Sequence, residues 1–277
     1  MIERKGTQMT APALVLLAEG SAEPRVVEVI HQLRKQMQVQ RPELSIHLAF
    51  LDHCPPSGPQ VVSTLAARGV KEIVFAPLTL SHAVDVGDAA EQMLATVRRN
   101  HPGLSVTVAH PIGPATELLN VLDLRLRNAL SACHALELDA LVLCAPDCGD
   151  PRGASLLARR ARQWGSHHKL PVAVACADGS GTSVVSAMAS LHEQGRRAIA
   201  VGCLFLTADD SYVLASEQAI AAGAVAVSAP LGADGHIIDL IIARYAFAAM
   251  AMLDNAPASE HLGADVLTTG NTQLMAL

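Results

Sequence analysis

Short runs of Val, Leu, Ile and Ala at residues 14–18, 46–51, 73–80 and 105–109 alternate with longer segments of helical spacing at 25–39, 58–68, 87–99 and 114–130. The second half repeats the pattern, with apolar runs near 140–145, 171–176, 198–206 and 224–227. Strands that are apolar at nearly every position cannot leave one face in water, so the pattern predicts parallel sheets with helices on both faces. Right-handed crossovers then bring the carboxyl ends of the strands to one edge, where ligands of such sheets bind. The loops after the strands are therefore where chemistry is expected.

The alternation is a duplication. Ala13-Leu-Val-Leu pairs with Ala140-Leu-Val-Leu, and Glu23-Pro-Arg25 with Asp150-Pro-Arg152, at an offset of 127 residues. Leu65, Gly69 and Ile73 pair with Leu191, Gly195 and Ile199 at 126, and Pro111-Ile-Gly113 pairs with Pro230-Leu-Gly232 at 119. Insertions and losses of this kind collect in loops and leave the elements intact. The organisation expected is one repeat over 10–132, a second over 138–254 and a flexible tail over 255–277.

With 20 Lys and Arg against 26 Asp and Glu, the net charge is −6, and no basic surface is available to neutralise a nucleic-acid backbone. The most apolar stretch, 236–253, contains Asp239 and Arg244 and reads as a closing helix, not a membrane span. The first residues lack the long apolar run of a secretory signal, so a cytoplasmic protein is expected. The six cysteines fall in or beside apolar runs and read as small buried hydrophobes, not disulfides.

Three loops of the first repeat carry candidate chemistry. After the first strand, Glu19, Gly20 and Ser21 lead into Arg25; Ser21 reads as a helix cap, or with Gly20 as a backbone cradle for an anion. Glu19 is the unusual residue, since a carboxylate at the end of a core strand needs a proton, a cation or a metal. After the third strand, His82, Asp85 and Asp88 place an imidazole and two carboxylates within seven residues, a ligand set for a divalent cation or a solvated loop with a cap. The Asp52-His53-Cys54-Pro55-Pro56 turn ranks below these. In the second repeat, Pro146 stands where Glu19 stands and neither corresponding loop holds a histidine, so that repeat is expected to support the site without ligating. The phosphate loop, the nucleophile elbow, the H-E-x-x-H helix and the dinucleotide fingerprint are absent from the sequence.

Ala18-Glu-Gly-Ser-Ala-Glu-Pro-Arg25, Ala49-Phe-Leu-Asp52, Pro77-Leu-Thr-Leu80 with its His82 loop, and the closing Ala229-Pro-Leu-Gly232 follow one another in a familiar order. Over residues 13–250 the chain resembles the sirohydrochlorin chelatases of the CbiX type, in the long form built from two fused halves. The resemblance implies an α/β fold of two tandem chelatase-like, flavodoxin-like domains. It implies insertion of Co²⁺ or Fe²⁺, possibly Ni²⁺, into sirohydrochlorin or a related tetrapyrrole, for cobalamin or sirohaem synthesis. The metal is then a substrate, no organic cofactor is needed, and the chain acts as a monomer or homodimer without nucleic acid or membrane. Where the family carries its metal-binding histidines this sequence aligns Glu19 and Asp85, so those histidines are expected to be replaced. Glu19, His82 and Asp85 become the expected metal-binding and catalytic residues, with Gly20, Ser21 and Arg25 facing the substrate's acidic groups. The alternative is a catalytically silent relative that carries tetrapyrrole or metal.

Overall fold

The computed structural model describes residues 11–135 and 137–254; the tail expected to be flexible lies outside them. The elements run β1 (Ala13–Ala18), α1 (Pro24–Gln40), β2 (Ile46–Phe50), α2 (Gly58–Ala67), β3 (Glu72–Pro77), α3 (Asp88–Asn100), β4 (Ser105–Val108) and α4 (Leu118–Ala132). The second half repeats them as β5 (Ala140–Ala145), α5 (Pro151–His168), β6 (Val172–Cys176), α6 (Val184–Glu193), β7 (Ile199–Cys203), α7 (Asp210–Ala221), β8 (Ala226–Val227) and α8 (Gly235–Asp254).

Each half forms a parallel four-stranded sheet, ordered β2-β1-β3-β4 and β6-β5-β7-β8. The molecule is thus two tandem α/β units, each a parallel sheet flanked by helices, as the sequence pattern predicts. In both sheets the order reverses beside the first strand, between β1 and β3 and between β5 and β7. Loops leaving adjacent strands diverge at such a point and open a crevice.

Alternation along the strands sorts side chains into layers. Ala13, Val15 and Leu17 of β1 join an outer core under α2 and α3, whereas Leu14, Leu16 and Ala18 face a central core. In β5, Ala140, Val142 and Cys144 face outward, and Leu141 and Leu143 enter the same central core. That central core is shared, because the closing helices are exchanged. Helix α4 packs on β7 and β8, and α8 packs on β3 and β4. The fit under α4 is close: a Cβ on Gly202 of β7 would run into the Trp164 ring and lie 3.3 Å from the Leu122 methyls. Tyr245 of α8 donates its hydroxyl to the Pro12 carbonyl at 2.6 Å, and Arg125 of α4 donates to the Leu231 carbonyl at 2.7 Å.

By length and composition α8 is apolar enough to cross a membrane. Here it buries Ile237, Ile238, Ile241, Tyr245 and Ala248 in the central core. The reading of all six cysteines as unpaired thiols is corrected: Cys148, in the loop after β5, and Cys176, the last residue of β6, are joined as a disulfide with Cα atoms 5.7 Å apart. Cys144 and Cys203 are buried thiols as expected and Cys54 is half-buried, whereas Cys133 is exposed against that expectation; burial pushes Cys144 up to about 12.

Candidate metal and macrocycle site

The two crevices face one another and merge into a cavity of about 370 Å³ lined from both halves. From the first half come Glu19, Gly20 and Ser21 after β1, Phe50 and His53 around β2, and residues 77–81 after β3; from the second come Pro146, Asp147, Leu206, Thr207, Asp209 and Asp210. Four carboxylate residues line it and no Lys or Arg does. A cavity so charged draws a divalent cation.

The loop after β1 is held by continued pairing with the chain leaving β2. Leu51 donates its N–H to the Ala18 carbonyl at 2.9 Å, and Asp52 donates to the Glu19 carbonyl at 3.0 Å. Gly20, at φ +97°, is required where these two segments meet, because a Cβ there would fall onto the Asp52 carbonyl oxygen. Ser21 does not cap α1; its Oγ accepts from the Glu23 N–H at 3.0 Å, and Glu23 is the N-cap residue with Pro24 following. The Glu19 carboxyl is raised above its ordinary 4.5, first by withdrawal from water, then by the charges of Asp147, Asp209 and Asp52, with His82 opposing.

His82 lies at the start of the loop after β3, and its Nε2 is 3.5 Å from Asp147 Oδ1 of the second half. Its Nδ1 is buried without a hydrogen-bond partner among the described residues. A carboxylate facing Nε2 favours the proton on that nitrogen and leaves the lone pair on the buried Nδ1. The second repeat is expected to support the site without ligating, and its Asp147 lines the cavity, faces His82 and acts on Glu19.

The loop bearing His82 is fixed by another acidic residue of the second half. Asp150 is buried, and its Oδ2 accepts from three successive backbone N–H groups, of Ala83, Val84 and Asp85, at 3.0, 2.7 and 2.9 Å. Its Oδ1 accepts from Gly153 at 2.6 Å and caps α5. These donors hold the Asp150 carboxyl far below the usual range, against the opposing effect of burial. Gly149 and Gly153 let the Ser81 carbonyl approach α5; a Cβ on either would collide with it.

The structure therefore brings together Glu19, Gly20 and Ser21 on the cavity wall, with His82 beside Asp147. The Asp85 side chain is exposed, and it is the Asp85 N–H that is engaged. Arg25 lies exposed on the first turn of α1, outside the cavity lining. Asp147 escaped the sequence reading because the repeat aligns it with Gly20. Only the face-to-face arrangement of the halves turns it toward the first half's loops.

The expectation that the metal-binding histidines are replaced does not stand. Asp123 of α4 and His167 and His168 at the end of α5 present a carboxylate and two imidazoles whose ligand atoms all lie within 4.8 Å of one another. Asp123 Oδ1 is 2.8 Å from His168 Nε2 and accepts from the Trp164 indole. Two imidazoles with one carboxylate suit the divalent metals that favour nitrogen ligands. Since α5 starts at the loop edge and ends where the chain turns into β6, this group lies at the sheet edge opposite the cavity.

Residues 13–129 match the family model CbiX. A sirohydrochlorin cobaltochelatase of Methanocaldococcus jannaschii is 25% identical over 89 residues, which span 32% of this chain and 62% of that protein's length. Among solved structures, SirB from Bacillus subtilis with Fe³⁺ superposes with a TM-score of 0.71 at 14% identity, covering 88% of this chain and 98% of the other. SirB from Bacillus subtilis subspecies spizizenii in complex with cobalt gives a TM-score of 0.72 at 13% identity over the same shares. The chain shares the fold of both SirB structures.

Proposed function

We propose that this protein inserts a divalent metal, Co²⁺ or Fe²⁺ and possibly Ni²⁺, into sirohydrochlorin or a related tetrapyrrole, as a cytoplasmic monomer or homodimer. The observation that carries the reading is the acidic cavity at the facing crevices, lined by Glu19, Asp147 and Asp209, with the His82 imidazole 3.5 Å from Asp147. The likeness to a cobaltochelatase and to metal-bound chelatase structures supports the same chemistry.

In this mechanism the acidic wall concentrates the cation, which enters as substrate. Glu19 offers an oxygen from the cavity wall, and His82, oriented by Asp147 at 3.5 Å, offers the nitrogen ligand. Insertion releases two pyrrole N–H protons for each divalent ion taken up. Glu19 accepts them in turn and passes them to water at the cavity mouth; its raised affinity for protons brings it nearer the range in which a general base works. Gly20 and Ser21 form the wall against which the macrocycle edge rests. Asp85 contributes through its backbone, which anchors the His82 loop to Asp150, and Arg25 stands outside the rim for an acidic side chain of the substrate.

The test mixes purified protein with sirohydrochlorin and Co²⁺ and follows absorbance against the uncatalysed rate. Acceleration that is lost in Glu19→Ala is expected. No acceleration rejects the enzyme, and saturable tetrapyrrole binding without insertion would replace it with a carrier.

A further inference from the structure

A second cavity, of about 180 Å³, opens where the exit of β4 meets α5 and α8. The 81–86 loop separates it from the metal cavity: Ser81 and Val86 line the first, and Ala83 lines the second. Arg152, Leu156 and Arg160 reach it from one face of α5, being spaced at four residues, and Arg244 reaches it from α8. Residues 110–115 complete the wall, with His110 its remaining titratable side chain and no carboxylate among the lining residues.

This composition is the reverse of the metal cavity, and the opposing charge that acts on Arg160 is that of Glu117, outside the lining. Among the described residues none of the three arginines makes an ion pair. Arg160 donates Nε to the Pro114 carbonyl at 2.8 Å and uses a second nitrogen on Gln163 at 3.3 Å. The Arg244 Nε is buried with no hydrogen-bond partner among the described residues. The Arg160 guanidinium is disfavoured by its withdrawal from water and by the charge of Arg159, with Glu117 opposing, and a buried donor left unmade is costly. A multiply charged oxyanion removes both penalties, because its oxygens accept paired N–H bonds from planar guanidinium groups. At about 30 Å³ for each water volume the space equals roughly six waters, enough for phosphate or a short polycarboxylate and too little for a tetrapyrrole ring.

We propose that this cavity binds a small, multiply charged oxyanion, a phosphate or a carboxylate cluster, held by Arg152, Arg160 and Arg244. The bound anion fastens α5 of the second half to the β4 exit and α8, beside the loop that bears His82. The proposal does not depend on the metal-insertion reading.

Inorganic phosphate, and separately citrate, is titrated into the whole chain by calorimetry at matched ionic strength in chloride, with thermal unfolding followed in parallel. One saturable site per chain and a Tm that rises with ligand are expected. Arg152→Gln and Arg244→Gln should each weaken binding about tenfold, the loss of a charge-assisted bond, whereas Arg98→Gln on α3 should not. If Arg244→Gln fails to fold, the exposed Arg152 carries the test alone. Absence of saturable binding, or binding unchanged in Arg152→Gln, overturns the proposal. Metal-free uroporphyrin, a tetrapyrrole polycarboxylate, then distinguishes the sources of the anion. Competition with phosphate identifies a substrate side chain as the occupant, and simultaneous binding identifies a free oxyanion.

Discussion

At the scale of single residues, three carboxylates carry the site, and their surroundings set them to different tasks. Glu19 is raised by its removal from water and by its acidic neighbours, so the native state disfavours its charged form. A carboxyl raised on folding stabilises the protein only at low pH, and its contribution is lost as pH rises through the native value. Glu19→Gln is therefore expected to raise Tm at neutral pH while abolishing metal insertion, measured by calorimetry and absorbance on the same preparation. For the wild-type protein, insertion should fall as pH drops through a value above the ordinary 4.5. Asp147 acts on the His82 imidazole, and Asp147→Asn should weaken Co²⁺ binding by about 10- to 100-fold, the usual effect of removing a carboxylate behind a ligating imidazole. Asp150 runs the other way. Its carboxyl is depressed on folding, so its stabilisation is complete above the unfolded value of 3.8 and is lost as pH falls toward the native value. Asp150→Ala should cost about 2–4 kcal/mol at neutral pH, since it leaves several backbone donors unmade, and denaturant titration should show that deficit shrinking in acid.

At the scale of elements, the apolar runs predicted every strand to within a few residues, because a strand buried on both faces leaves little room for polar positions. Repeat matches such as Ala13 with Ala140 aligned the two sheets before any coordinates. The partnership of the closing helices was not legible. The spacing of Leu118, Val121 and Leu122 says that one face of α4 is buried, and the same is true of Ile237, Ile238 and Ile241 in α8. Neither pattern says which sheet receives the helix. Cys148 and Cys176, 28 residues apart, were equally hidden, since their proximity depends on a loop and a strand end meeting at one sheet edge. The exchange makes its own prediction. A chain of residues 10–132 alone keeps α4, which has no β7 or β8 to cover, and lacks α8 for β3 and β4. It should show weak, non-cooperative unfolding by circular dichroism, and mixing it with a chain of residues 138–254 should restore a cooperative transition. A cooperative transition in the first fragment by itself would contradict the exchanged packing.

At the scale of the whole molecule, the two halves have diverged where they face each other while their sheets have stayed alike. The first half contributes Glu19 to the cavity and the second contributes Asp147, which faces His82, while Asp150 holds the backbone of the His82 loop. The exchanged helices have a consequence for how such a chain can arise. A lone ancestral half could cover its sheet only by lending its last helix to an identical neighbour and borrowing that neighbour's in return, an arrangement symmetric by necessity and holding two equal clefts. Joining the two genes end to end would preserve every contact of that pair while releasing it from symmetry. One copy could then keep the imidazole and the other could become its acidic counterpart, a division of labour closed to any assembly of identical subunits.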